Sequence, residues 1–137
     1  MSILTRQRSV SEETLQKFED LLISERVALG LYIKDKITRE KFCDCLFSTV
    51  KKLEHVNTRY ISKVTLSNLE ETAQEIKNGR YNIFNFDTSL SFIHRSLIVD
   101  AYPSQLKQEK HYAKFVSHFS SASWYGTRKR VEALLRE

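Results

Sequence analysis

Residues 11–33 read SEETLQKFEDLLISERVALGLYI, and the placement of this segment decides the architecture. Ser11 precedes Glu12 and Glu13, so a hydroxyl able to accept from a free backbone N–H stands just before two carboxylates. That order marks a helix start, because the positive end of the helix dipole favours anions in the first turn. Val10 and Leu15 are spaced to pack across the cap as a hydrophobic staple. Leu15, Phe18, Leu22 and Leu29 then recur at helical spacing, with Leu21, Val27 and Ile33 widening the apolar stripe. A stripe this broad needs neighbours on several sides, so the segment is expected to be the central helix of the fold. Gly30 either ends it or lies inside a longer helix reaching Tyr32.

Working outward, residues 1–10 read as a mobile basic lead-in carrying Arg6 and Arg8, and residues 11–137 as one helical domain. Asp35–Thr38 is a polar break, after which Thr38 can cap a second helix over Phe42, Cys45, Leu46, Val50 and Leu53. Asn57–Val64 contains β-friendly residues and reads as a connector or as a continuation of the second helix. A third helix is expected to begin at Thr65 or Ser67, running along Leu66, Leu69, Ala73 and Ile76. It stops at Asn78-Gly79, since glycine enters the left-handed conformation without strain. Arg80–Phe86 reads as a loop tacked down by its rings, and Asp87 as the cap of a fourth helix through Leu90, Ile93, Leu97 and Ala101. Pro103 ends that helix and opens the next with Ser104. The fold class is therefore all-α, one compact domain of about five or six helices. Its alternative is α+β, with a small hairpin pairing residues 57–64 and 81–86. Phe18, Leu22, Leu46, Val50, Leu69, Ile93 and Phe115 are the expected core.

The last third carries the functional signal. Residues 103–137 hold seven basic against three acidic side chains, whereas the charges of residues 1–36 cancel at six of each. Four of the five net positive charges of the chain thus lie after Pro103. Tyr112, Phe115, Val116 and Phe119 share one arc of a helix, and Lys107, Lys110, His111, Lys114 and His118 share the opposite one. A turn through Ser120–Gly126 leads to a last helix, in which Thr127 is the cap and Val131, Leu134 and Leu135 pack inward. Arg128, Lys129 and Arg130 stand in its first turn, where the dipole disfavours cations, so an external anion would suit them.

Other chemistries lack their residues. Glycine occurs only at 30, 79 and 126, so neither a P-loop nor a dinucleotide fingerprint can be written. Cys43 and Cys45 have no metal-ligand spacing with histidine, and Cys45 falls on the apolar stripe of its helix, which makes burial its expected role. No metal, cofactor or catalytic residue is assigned. No run approaches the roughly 20 apolar residues of a spanning helix. With no leader of the secretory type in its first residues, the chain is expected in the cytoplasm with reduced thiols, off the membrane.

The leading expectation is a small non-catalytic protein that associates with nucleic acid through Lys107, Lys110, His111, Lys114, His118, Arg128, Lys129 and Arg130, with little sequence specificity. The alternative is a regulatory adaptor or inhibitor whose basic face docks an acidic surface of a nucleic-acid-handling partner. A third reading is metal-independent RNA cleavage by histidine, drawing on His94, His111 and His118.

Overall fold

The computed structural model describes residues 10–117, and over them the chain is all-α: a compact domain of five helices with no strand. These are α1 (Glu12–Ile33), α2 (Arg39–Leu53), α3 (Lys63–Lys77), α4 (Asn85–Ala101) and α5 (Gln105–Val116). The hairpin alternative is excluded, because residues 57–62 form a turn-rich connector and residues 80–84 a loop. The lead-in before Val10 and the expected helix beginning at Thr127 lie outside the described residues.

Four of the five helix starts are chemically alike. Ser11, Thr38, Ser62 and Ser104 each turn a hydroxyl back to accept from the backbone N–H three residues on. Such a cap stabilises a helix by about 1 kcal/mol. α3 starts at Lys63, earlier than expected, because the Ser62 hydroxyl takes the amide of Thr65, so Thr65 already lies in the first turn. α4 starts at Asn85 rather than after Asp87. The Asn82 side chain accepts from the Phe84 amide and shapes the entry turn, which leaves the Asp87 carboxylate in the first turn for another purpose.

Two helix ends share a second device. At Asn78-Gly79 the chain enters the left-handed region at Gly79, with φ 75°, and Arg80 donates back to the Glu75 carbonyl. At the end of α1 an aspartate takes the same role: Asp35 has φ 59°, and Lys36 donates back to the Leu31 carbonyl. Asp is among the few residues other than glycine that tolerate this conformation. α1 therefore runs straight through Gly30.

α1 packs against α2 and α4, α2 against α3, and α3 against α4, while α5 lies on α4 outside this ring of four. Phe18 and Leu22 of α1 meet Phe42, Leu46, Phe86, Leu90 and Leu97 in a closed apolar core. Six of the seven expected core residues are buried; Ile93 is half-buried and packs at the margin. The connector after α2 is tied to α4 by the Tyr60 hydroxyl, which donates to Asp100 Oδ2 at 2.8 Å. No described helix is long and apolar enough to cross a membrane.

Both cysteines are buried and unbridged. Burial pushes the Cys45 thiol up to about 12, with the nearby Glu25 adding to it, and burial also raises Cys43. Only the thiolate is an effective nucleophile. Ellman's reagent at pH 8 is therefore expected to leave both thiols unmodified in the native protein and to titrate both once urea unfolds it. Rapid labelling of either one without urea would contradict their place in the core.

Candidate nucleic-acid interface

α5 presents two different sides, and the first fixes the second. On its inner side, Phe115 is buried against the His94 ring, centroids 4.4 Å apart, with the Arg26 guanidinium 5.7 Å from its own centroid. One turn earlier, His111 Nε2 lies 2.6 Å from Glu19 Oε2. The same carboxylate oxygen is 2.7 Å from Nε2 of His94. A single acceptor on α1 thereby holds imidazoles from α4 and α5. The other nitrogen of His111, Nδ1, lies 3.1 Å from the Tyr102 hydroxyl. Burial first, then Glu12 through charge and a hydrogen bond, and Glu19 through charge, raise the Tyr102 hydroxyl above its ordinary value. The entry to α5 is held by Gln108, whose Nε2 donates to the Tyr102 carbonyl at 2.8 Å.

The outer side carries Lys107, Lys110 and Lys114, all exposed. Spaced i, i+3 and i+7, they span about 10 Å along the helix. Among the described residues none of the three meets a carboxylate within ion-pair distance. The structure thus brings together three of the eight candidate residues. His111 is corrected: it does not join the exposed lysines but turns inward, because Glu19 supplies a buried acceptor on the adjoining helix. That contact also rotates the helix, so the inward arc centres on Phe115, and Tyr112 and Val116 remain 38% and 41% exposed. His118, Arg128, Lys129 and Arg130 lie outside the described residues.

Glu19, Tyr102 and a second acidic side chain, Glu25, belong to no expected site. Glu25 is wholly buried, and among the described residues no donor reaches either carboxyl oxygen. Glu19 and Glu25 were visible as acidic residues on the apolar stripe of α1, next to Phe18 and Leu22, and His94 as a polar residue between Leu90 and Leu97. Such positions mark buried polar groups that need partners.

The histidine node is largely enclosed. His94 is buried, and both ring nitrogens of His111 have partners. The described residues include no group of three or more His, Cys, Asp or Glu side chains arranged to hold a metal ion. The node does serve to set the angle of α5 and with it the direction in which the lysines point. No protein-family model, curated protein or solved structure matches the chain.

Proposed function

We propose that the protein associates with nucleic acid through the lysine edge of α5, by phosphate contacts and with little sequence preference. The supporting observation is the edge itself: three exposed ammonium groups, free of carboxylate partners among the described residues, on a helix anchored from its other side. A surface lysine row with no internal counter-charge attracts an external polyanion and releases its counterions on binding. The excess of basic residues after Pro103 adds to the same end of the chain. No catalytic step is assigned.

Three to five phosphate contacts correspond to a log–log salt slope between about −3 and −5 on duplex DNA. Changing Lys107, Lys110 and Lys114 together to glutamate is expected to flatten that slope and nearly abolish binding. The melting temperature should stay close to wild type, because the replaced side chains are solvated. Fluorescence anisotropy over a salt series measures the first effect and thermal circular dichroism the second. If the wild-type chain shows no salt-sensitive binding to DNA or RNA at low ionic strength, the reading fails. An acidic protein surface is then the partner to seek, with the same triple variant as the control.

A further inference from the structure

Exposed apolar side chains are distributed unevenly over the molecule. Among the described residues nine large ones are exposed, and five belong to α4 and α5: Phe92, Val99, Leu106, Tyr112 and Val116. Between these two helices runs a groove of about 280 Å³, lined among others by Arg95, Ile98, Val99, Gln105, Glu109 and Tyr112. The volume lies near the lower end of the roughly 300–1,000 Å³ of small-molecule sites and has room for a planar ring.

The groove also has a flat, preformed surface. The Arg95 guanidinium sits over the Tyr112 ring, 5.6 Å from its centroid. Tyr112 is held from inside by the His94 ring, centroids 6.2 Å apart, so its plane is set by the same node that anchors α5. Phe92 stands one turn before Arg95 on α4 and is 70% exposed. Arg95 thus lies on the Tyr112 ring, and its exposed guanidinium offers an outer plane backed by that ring; arginine planes, like aromatic faces, are what proteins use to stack unpaired bases.

We propose that the α4–α5 groove is a stacking site for an unpaired base, so that single-stranded nucleic acid is the preferred ligand of the lysine edge. This rests on the phosphate-binding reading of that edge. The charges sort the two halves of a nucleotide. Glu109 lines the groove, with Gln105 Nε2 3.4 Å from its Oε1, and its carboxylate repels phosphate while accepting from the amino group of a base. Phosphates are left to Lys110 and Lys114, on the flank of α5 turned away from the groove. A strand crossing α5 places its base on one flank and its backbone on the other. A duplex keeps its bases in the stack and reaches the groove only by flipping one out, at a cost of a few kcal/mol.

The test is anisotropy with labelled oligonucleotides of equal length, single-stranded and duplex, at matched salt. The proteins are wild type, Tyr112→Ala, Tyr112→Phe, Arg95→Ala and the triple lysine variant. Wild type is expected to favour the single strand. Tyr112→Ala removes the ring that backs the Arg95 plane and should weaken single-strand binding by roughly 5- to 100-fold, the effect of losing one stacked base, and leave duplex binding and the salt slope unchanged. Tyr112→Phe keeps the ring and should bind like wild type. Arg95→Ala, a change at an exposed side chain, should also lower single-strand preference and serves if Tyr112→Ala fails to fold. If wild type binds both forms alike, or if Tyr112→Ala and Arg95→Ala leave strand preference intact, the stacking site is wrong. Loss of binding in the triple lysine variant would then still support the phosphate edge. Absence of binding to either form removes both.

Discussion

Replacing Glu19 with alanine is expected to destabilise the protein by about 1–3 kcal/mol, the cost of leaving a buried hydrogen-bonding group without its partner. The change strips one acceptor from the buried His94 and the partly buried His111 at once, and a buried donor left unpaired costs about 1–3 kcal/mol. Glu19→Gln keeps a carbonyl oxygen at the position and should cost less. Because His94 and His111 meet the same oxygen, single changes at Glu19 and His111 should not add. A double-mutant cycle between them should show coupling of about 0.5–3 kcal/mol. The effect should also be localised. Amide exchange should speed up in α5 before it does in α2 and α3, since α5 lies outside the four-helix ring and is tied to α1 through this contact. A urea midpoint for Glu19→Ala within error of wild type would show that the node does not hold α5.

How much of this could be read from the chain differs between helix and site. Ser11, Thr38, Ser104, Gly79 and Pro103 act within one helical turn of themselves, so their roles were legible. Ser62 and Asn82 act as locally, yet were obscured. Ser62 precedes Lys63-Val64-Thr65, where β-branched residues blur the helical signal, and Asn82 shapes its turn through a side-chain bond to Phe84 rather than a standard cap. Asp87 looked like a cap because aspartate favours that position; its partner, Arg26, lies 61 residues earlier and joins it at 3.0 Å. The same holds for α5. Its lysine row needed only helical periodicity to be seen. The rotation that withdraws His111 depends on Glu19, 92 positions away, and no local pattern contains it. Acidic residues on an apolar stripe announce that something must satisfy them, without saying what.

Glu25→Gln is expected to stabilise the protein increasingly as pH rises, because wild type must keep a buried carboxyl protonated and glutamine need not. Glu25 is wholly buried where α1 meets Cys45 of α2 and Asp87 of α4. Burial, first, holds its carboxyl well above the ordinary carboxylate range. Asp87 raises it further, by accepting the proton of the neutral form and by repelling the charged one, while Arg26 opposes both. Arg26 is already committed, with Nε 3.0 Å from Asp87 and its Nη2 2.8 Å from the Ser91 hydroxyl. The folded protein therefore keeps a proton on Glu25 at pH values where the unfolded chain has lost it. When the folded state binds more protons than the unfolded one, stability falls as pH rises. The contribution of Glu25 is thus fully present below the unfolded glutamate value of about 4.3 and is lost as pH climbs through the raised folded value. Glutamine has nearly the same shape, does not titrate, and offers an amide N–H to Asp87. Urea denaturation of both proteins between pH 5 and 9 reads out this group, because titrations away from Glu25 are shared and cancel in the difference. The difference curve should rise with pH in favour of Glu25→Gln. A flat curve, or one that falls, would mean that Glu25 does not keep its proton in the core.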